Sequence, residues 1–185
     1  MRKLIAIGGQ PATGKTSMMK RFMAETADWQ KQEPEKLVVA MYSANQNLYV
    51  LGDFSDPDEK FPGTDRLSMA VQPNAIKFLQ STTSNILFEG DRLFTASYLE
   101  AAADLADAGQ LDLKIWVIVA DPQIVAQRHI DRADTQGEQF LKGRITKYSN
   151  IQSSLVLMPF IEAFKNNNLG DRERIVKRLN YELQQ

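Results

Sequence analysis

The residues Gly9 to Thr16 read GQPATGKT and match the pattern G-x-x-x-x-G-K-[ST] in full. An apolar run, 4–7, precedes them, and a stretch with helical spacing begins near Lys15. A strand, a glycine-containing loop and a helix in this order surround one anion with backbone N–H groups and the positive end of the helix. The pattern therefore predicts a site that binds a chain of phosphates.

Each part of this loop has an expected role. The Lys15 ammonium would reach the β- and γ-phosphates of ATP, and the Thr16 hydroxyl would bind Mg²⁺. Gly9 and Gly14 would let the backbone curl and approach the phosphates closely. The residues expected to contact ATP are Gly9, Ala12, Thr13, Gly14, Lys15, Thr16 and Ser17.

Length and composition limit the class of protein. The 185 residues predict a single domain, 1–185, and 43% hydrophobic with 24% charged residues is typical of a soluble globular protein. The absence of cysteine excludes disulfides, a thiol nucleophile and a zinc-thiolate site, and the single His129 excludes a multi-histidine metal site. A net charge of −1 means that any polyanion site must be local.

The chain carries no signal for secretion or membrane insertion. The N-terminal apolar run is only four residues long and leads into glycines, unlike a signal peptide. No segment approaches the length needed to span a bilayer. We therefore expect a cytoplasmic protein with no membrane partner, located in the host cytoplasm if it is encoded by a phage.

The apolar runs predict a parallel sheet. Leu113 to Ala120 has almost no polar interruption, which is typical of a strand buried on both faces. The runs 37–41 and 48–51, separated by the turn-like 43–47, predict an inserted hairpin. Strands that alternate with helices predict the α/β class and a P-loop NTPase fold, with about five parallel strands flanked by helices and an arginine-bearing lid.

The remaining boundaries follow from caps and breakers. Asp121 and Asp171 are predicted N-caps of two helices, and 52–64, with two prolines and several acids, is predicted to be an exposed loop. The other predicted elements are a first helix over 15–27, a helix with Pro73 near its start, a short strand ending at Glu89, a helix over 95–108, a helix over 138–157 and a last strand at 160–164.

Acidic residues follow the short strand in the sequence ILFEGDRLF, 86–94. Glu89 stands at the carboxyl end of this strand, with Asp91 and Arg92 directly after it, and ligands of doubly wound folds gather at that edge. A carboxylate there can hold magnesium or accept a proton from a nucleophile. We expect Thr16 and Glu89 to bind the metal.

The segment GTDRLS, 63–68, is a second candidate for acid–base chemistry. Asp65 could take the proton of an acceptor hydroxyl while Arg66 holds a phosphate of the same acceptor. Asp91 is an alternative general base, and Asp53 competes for the same role. The sequence leaves this choice open, and it predicts substrate-binding cations at Arg66, Arg92 and Arg128.

A basic cluster follows the strongest strand. Arg128 and Arg132 are four residues apart and share a helix face, and Arg144 and Lys147 follow a segment bounded by glycines. This arrangement predicts a mobile lid over about 128–147 that closes on ATP. Arg132 and Arg144 are the predicted catalytic cations, together with Lys15, because phosphoryl transfer needs positive charge on the transferring group.

These features together resemble the small P-loop kinases, a group that includes nucleoside, nucleotide and phage polynucleotide kinases. The resemblance rests on GQPATGKT, the order of the elements, the Arg-x-x-x-Arg spacing in the lid and the lack of an apolar strand that ends in Asp-Glu. It implies a five-stranded parallel sheet, the use of ATP and Mg²⁺, and transfer of the γ-phosphate to a hydroxyl or a phosphate.

Three segments are similar to a narrower group, the phage 5-hydroxymethyluracil DNA kinases of thymidine hypermodification. They are GTDRLSMAVQP at 63–73, FEGDRLF at 88–94 and FLKGRITKYSNI at 140–151. This resemblance implies that the acceptor is the base hydroxymethyl group in DNA. A flipped base needs aromatic side chains to stack on. The candidates are Tyr42, Tyr49, Phe54 and Phe61, which could equally belong to the hydrophobic core.

Two other functions remain open at this point. A deoxynucleoside monophosphate kinase would need no general base, because its acceptor is already an anion. A nucleotide-binding switch or ATPase would hydrolyse ATP without an acceptor, but the chain lacks a long charged tail that would suggest a partner-driven motor. The oligomeric state does not follow from the sequence.

Overall fold

The structure is a computed structural model that describes residues 1–56, 62–131 and 138–185, with the side chains of 138–141 left out. Its strands are β1 (Lys3–Gly8), β2 (Gln30–Glu35), β3 (Val38–Ser43), β4 (Leu48–Leu51), β5 (Asn85–Glu89), β6 (Asp112–Val119) and β7 (Ile161–Lys165). Its α-helices are α1 (Lys15–Met23), α2 (Gln72–Ser81), α3 (Ala96–Asp107), α4 (Pro122–Asp131), α5 (Glu138–Gln152) and α6 (Leu169–Gln184).

One sheet organises these elements, in the order β2-β3-β4-β5-β1-β6-β7. The five strands from β4 to β7 in this order are parallel, and β3 and β2 extend the edge in antiparallel pairing. The predicted α/β class and its five parallel strands are thus confirmed, as is the hairpin of β3 and β4. The sheet is larger than predicted because of the two antiparallel strands.

Strand β2 has no counterpart among the predicted strands. Its sequence, QKQEPE, contains no residue with high β-propensity and its side chains are exposed or half-buried. It forms because the backbone of β3 offers an open edge next to it, so tertiary pairing overrides local preference. The register of the pair shifts between Gln32 and Glu35, next to Pro34.

Several predicted boundaries are corrected by the structure. The first helix ends at Met23 and α5 ends at Gln152, while 158–160 forms a 3-10 turn before β7. The cap of α6 is Asn168, whose Oδ1 accepts the Asp171 N–H at 3.0 Å, and not Asp171 itself. The start of α6 is set by a side-chain hydrogen bond, which apolar periodicity does not report.

The predicted exposed loop at 52–64 is closed at its base. Asp53 and Gly63 exchange backbone hydrogen bonds of 3.2 and 3.0 Å, and the residues from Pro62 to Thr64 are buried. Only the outer part at Ser55 and Asp56 is exposed among its described residues. The bridge holds 63–66 against the sheet edge, so the loop is not wholly exposed as predicted.

The buried residues form two clusters, one on each face of the sheet. One cluster joins the sheet to α2, α3 and α5, and the other joins it to α1 and α6. Phe94, which precedes α3, lies so close to β1 that a Cβ on Gly8 would be 2.4 Å from its ring. Gly8 is therefore required for the close approach of the loop after β5 to the end of β1.

We predict that Gly8→Ala lowers the free energy of unfolding by roughly 1–3 kcal/mol, because the Phe94 ring must move away from β1. Urea unfolding measures this change. Gly143→Ala is the matched control, since its Cβ would meet no atom within 4 Å. Because alanine favours the helix more than glycine does, this variant should have a free energy of unfolding up to about 1 kcal/mol higher than the wild type. Equal stability of the two variants would contradict the packing argument.

Candidate active site

The strand register brings the end of β1 next to the end of β5. Ile7 of β1 pairs with Glu89 of β5, so the loop that follows β1 begins beside the last residue of β5. The loop 9–14 then leads into α1, and Gly14 takes a left-handed conformation, with φ of 87°, at the helix N-cap. The order of strand, loop and helix predicted from GQPATGKT is present.

Lys15 folds back over this loop. Its Nζ donates hydrogen bonds to the carbonyl oxygens of Gly9, at 2.6 Å, and Gln10, at 2.9 Å. The Thr13 hydroxyl closes the loop by donating to the same Gln10 carbonyl at 2.9 Å. The ammonium group is therefore held at the centre of the loop, next to the N-terminal amides of α1, where a phosphate chain would bind.

Two residues from distant parts of the chain hold the loop from outside. The Asn166 amide, buried after β7, donates to the Thr13 carbonyl at 2.8 Å. The Arg128 guanidinium of α4 donates to the carbonyls of Ala12, at 3.2 Å, and Asn167, at 3.3 Å. Arg128 was predicted to bind substrate, and the structure places it between the loop and the turn after β7.

Glu89 is the buried acid of the site. Glu89 is only 3% exposed, and its Oε1 accepts a hydrogen bond from the Thr16 hydroxyl at 3.0 Å. Burial raises the pKa of Glu89 to about 7, and the positive charge of Lys15 opposes this rise. Thr16 and Glu89 thus offer two neighbouring oxygens, the kind of donor that Mg²⁺ takes together with the phosphates of its nucleotide.

No cluster of three or more metal-ligating side chains occurs in the described ranges. The usual Mg²⁺ site of phosphate-transferring enzymes needs only one or two protein oxygens, because substrate phosphates and water complete the shell. The pair of Thr16 and Glu89, predicted to bind the metal, fits that chemistry by donor type and position.

The two candidate bases lie side by side, although Asp91 follows β5 and Asp65 belongs to the turn 64–66 that precedes α2. The Asp91 N–H donates to Oδ1 of Asp65 at 3.0 Å, and the Arg92 guanidinium donates to the Asp65 carbonyl at 3.3 Å. Thr64, fully buried, fixes this contact by donating its hydroxyl to the Glu89 carbonyl at 2.9 Å. Nε of Arg92 is buried without a hydrogen-bond partner.

The two acids differ in their surroundings. The Asp65 residue is exposed. The Asp91 carboxylate instead contacts three side chains of α5, namely Arg144 at 2.8 Å, Tyr148 at 2.6 Å and Lys147 at 3.7 Å. Burial lowers the pKa of Lys147, and the negative charge of Asp91 counteracts that effect.

Asp53 lies apart from this group. Its carboxylate accepts hydrogen bonds from Lys31 of β2 at 2.9 Å and from the Ser55 hydroxyl at 2.6 Å. These contacts lower its pKa to about 2 against the effect of burial. The structure therefore gives Asp53 partners at the base of the loop and not among the residues around Glu89.

Other predicted residues are placed as follows. Arg66 is exposed beside Asp65, and Ser17 is exposed on α1. The predicted cation Arg132 lies outside the described residues, as does the rest of the connection between α4 and α5, 133–137, in the predicted lid. Among the aromatic candidates, Phe61 is also outside them.

The three described aromatic candidates divide between core and site. Tyr42 and Tyr49 pack on each other with ring centroids 4.4 Å apart, and Tyr49 also packs on Phe78 of α2. They are therefore part of the packing around β3 and β4. Phe54 lies by the site, because a Cβ on Gly63 would be 3.1 Å from its ring and 3.2 Å from Oε1 of Glu89.

Two cavities flank the loop. One, of about 530 Å³, lies at the start of α1 and is lined by Gly14, Ser17, Arg128, Asp131, Asn166, Asn167, Asn168, Leu169 and Arg172. The other, of about 510 Å³, lies between the loop, the end of β6 and helices α4 and α5. The volume of the first lies in the range of small-molecule sites, and Ser17, Arg128 and the three asparagines provide polar groups in its lining.

Sequence reasoning missed Thr64 and Tyr148. Nothing in the pattern marks Thr64, whose role depends on the bridge between Asp53 and Gly63. Tyr148 stands three residues before Ile151, which is buried in the same cluster, so its spacing is typical of an ordinary helix core position. Only the fold reveals that its hydroxyl reaches the acid after β5.

Fold and site together define a P-loop nucleotide-binding protein with acidic and basic residues beside the phosphate loop. The chain belongs to the family described as P-loop Nucleotide Kinase3, whose family model matches residues 1–180. This membership identifies the chain as a kinase, in preference to a nucleotide-dependent switch. No curated protein matched the sequence.

Two solved structures are similar in fold to this chain. A gluconokinase from Sinorhizobium meliloti 1021 is 15% identical with a TM-score of 0.48, over 98% of this chain and 99% of its own. A sugar kinase from Janibacter sp. HTCC2649 is 12% identical with a TM-score of 0.42, over 100% of this chain and 95% of its own. No described helix is both long and apolar enough to cross a membrane.

We predict that Glu89 makes the ligand-free protein less stable as the pH rises. Its folded pKa of about 7 exceeds its ordinary 4.5, so between these values the unfolded chain loses a proton that the folded protein keeps. The free energy of unfolding should fall by roughly 3 kcal/mol from pH 4.5 to 7 for this group alone and then level off.

Urea unfolding of the wild type and of Glu89→Gln across this pH range measures the effect. The glutamine variant should lack this fall, so that the two curves diverge as the pH rises. Glu162→Gln, at an exposed position of β7, is the matched control and should follow the wild type. Parallel curves for wild type and Glu89→Gln would refute the assignment.

Proposed function

We propose that this kinase transfers the γ-phosphate of ATP to a hydroxyl group of a nucleotide or nucleic acid. The observation that carries the proposal is the pair of neighbouring acids near Glu89, in which Asp65 is exposed and its carboxylate accepts the backbone N–H of Asp91. A hydroxyl acceptor must lose a proton, and an exposed carboxylate close to Glu89 can take it. The family description, which names nucleotide kinases, supports the substrate class.

The donor would bind along the phosphate loop. Lys15 and the N-terminal amides of α1 would hold the β- and γ-phosphates, and the base and ribose would occupy the cavity of about 530 Å³ that Arg128 and Asn167 line. Mg²⁺, held by Thr16 and Glu89, would neutralise charge on the phosphates when bound. The residues expected to touch the nucleotide remain those predicted from the sequence, Gly9, Ala12, Thr13, Gly14, Lys15, Thr16 and Ser17.

The reaction moves one phosphoryl group and one proton. The acceptor oxygen forms a bond to the γ-phosphorus, the bond from that phosphorus to the β–γ bridging oxygen breaks, and ADP leaves. Asp65 accepts the hydroxyl proton, and it is favoured over Asp91 because α5 engages the Asp91 carboxylate. Lys15 and Arg144, with Arg132 of the lid, would stabilise the charge of the transferring group.

The acceptor would carry an anion near its hydroxyl. Arg66 is exposed beside Asp65, and the Arg92 guanidinium donates to the Asp65 carbonyl, so two cations lie close to the candidate base. A phosphodiester next to the reacting nucleotide would satisfy such donors. The most specific form of the proposal is the hydroxymethyl group of 5-hydroxymethyluracil in phage DNA, modified in the host cytoplasm, with Phe54 by the site as a candidate for contact with the base.

A deoxynucleoside monophosphate kinase is the second candidate. Arg66 and Arg92 would suit an acceptor phosphate as well as a phosphodiester. This function needs no general base, since the acceptor phosphate is already ionised, and the two candidates therefore differ in what they demand of Asp65.

We predict that γ-labelled ATP will label DNA that carries hydroxymethylated pyrimidines. The panel also contains nucleosides, deoxynucleoside monophosphates and DNA with free 5′ ends, and Lys15→Ala serves as the inactive control. Label on a monophosphate alone would exclude the DNA acceptor and favour the second candidate. Label on no member of the panel would contradict a nucleotide or nucleic-acid acceptor altogether.

We predict that Asp65→Asn lowers kcat by roughly a hundredfold or more, because the amide cannot take the hydroxyl proton. The substitution keeps the Oδ1 acceptor for the Asp91 N–H, so the local geometry should persist. Asp104→Asn, on the exposed side of α3, is the matched control and should leave kcat unchanged. A mild effect of both Asp65→Asn and Asp91→Asn would indicate a phosphate acceptor, whereas a mild effect of Asp65→Asn with a large effect of Asp91→Asn would make Asp91 the base.

A further inference from the structure

The hydroxyl of Tyr148 joins α5, the helix that also carries the predicted lid cation Arg144, to the loop after β5. It donates to Oδ1 of Asp91 at 2.6 Å, and the other carboxylate oxygen of Asp91 accepts the Arg144 guanidinium at 2.8 Å. Lys147 completes the contact by donating to the Asp91 carbonyl at 2.7 Å. Asp91 thus stands between a buried phenol and the guanidinium group of the lid.

Tyr148 is itself firmly placed. The residue is 3% exposed, and its ring packs on Phe94 with the ring centroids 5.4 Å apart. Phe94 in turn contacts Gly8 at the end of β1. The position of Tyr148 is therefore fixed by the same backbone that begins the phosphate loop.

The direction of the hydrogen bond is also fixed. Burial, with the negative charge of Asp91, raises the pKa of Tyr148 far above its ordinary value. The phenol therefore stays protonated at any working pH and can only donate to the carboxylate. Because one oxygen of Asp91 is held in this way, the other presents a defined direction to Arg144.

We propose that Tyr148 is a positioning residue that acts through Asp91 to orient the Arg144 guanidinium over the phosphate loop. The inference rests on the proposed function, in which Arg144 stabilises the transferring phosphoryl group. Arginine has a long side chain with high rotational entropy, and fixing it before the reaction removes that cost from the activated step. Asp91 then serves the lid, and Asp65 serves the acceptor.

A double-mutant cycle tests whether Tyr148 acts through Arg144. It consists of the wild type, Tyr148→Phe, Arg144→Ala and the double variant, with kcat and KM for ATP measured on the acceptor that the panel identifies. Hydrolysis of ATP by water is measured in parallel, because it needs no acceptor. Tyr181→Phe, at an exposed position of α6, is the matched control.

We expect Tyr148→Phe to lower kcat roughly tenfold with little change in KM for ATP. In the Arg144→Ala background the same substitution should have no further effect, because the guanidinium it positions is gone. An equal loss in both backgrounds would overturn the inference while leaving the proposed function intact. An unchanged kcat for Arg144→Ala would contradict the role of Arg144 in the proposed function and the inference with it.

Asp91→Asn gives a second route if Tyr148→Phe does not fold. It keeps an acceptor for the phenol but removes the charge that holds Arg144, so its loss of kcat should also vanish in the Arg144→Ala background. A loss that persists there would mean that Asp91 itself takes the proton. Nitrogen NMR of the arginine side chains adds a readout without turnover, in which Arg144 should reorient faster in Tyr148→Phe than in the wild type.

Discussion

The pairing of β1 with β5 is the constraint on which the site depends. It sets Ile7 opposite Glu89, so that the loop after β1 and the acids after β5 leave the sheet at the same place. A one-residue shift of this register would turn Glu89 to the other face of the sheet and part it from Thr16. The proposed metal donors, the phosphate loop and Asp91 therefore depend on one strand pairing, while the turn with Asp65 joins them through hydrogen bonds of Thr64 and Asp65.

The burial of Glu89 makes its ionised form unfavourable in this arrangement. A carboxyl that is 3% exposed, beside Asp65 and Asp91, is disfavoured as an anion until positive charge arrives. Lys15 supplies part of that charge within the chain. The remainder fits a divalent cation that arrives with a nucleotide, which couples the charge of the acid to the presence of the donor.

The sequence predicted the features that are local in the chain. GQPATGKT predicted the loop, and the nearly continuous apolar residues of β6 predicted a parallel sheet, because both signals depend on neighbours a few residues away. Strand β2 was not predicted because its residues are polar, and its strand conformation depends on backbone hydrogen bonds to β3 that the local sequence does not signal. The caps at Asn168 and the bridge between Asp53 and Gly63 depend on contacts that no periodicity encodes.

The same division holds within the site. Glu89 and Asp65 were predicted from their place after strands, but the sequence left open which of Asp53, Asp65 and Asp91 acts as the base. The structure distinguishes the three acids by their contacts: Lys31 binds the Asp53 carboxylate and Arg144 of α5 binds that of Asp91, whereas Asp65 is exposed. Tyr148 could not be recognised, since its ring occupies an ordinary core position and only its oxygen reaches the acid.

The antiparallel extension by β2 moves the boundary of the sheet to a strand with unusual chemistry. Charged residues occupy every second position, Lys31, Glu33 and Glu35, and Pro34 has no N–H to donate. Such an edge is poorly suited to accept a strand from another molecule. Strand β2 thus disfavours edge-to-edge aggregation at this margin of the seven-stranded sheet.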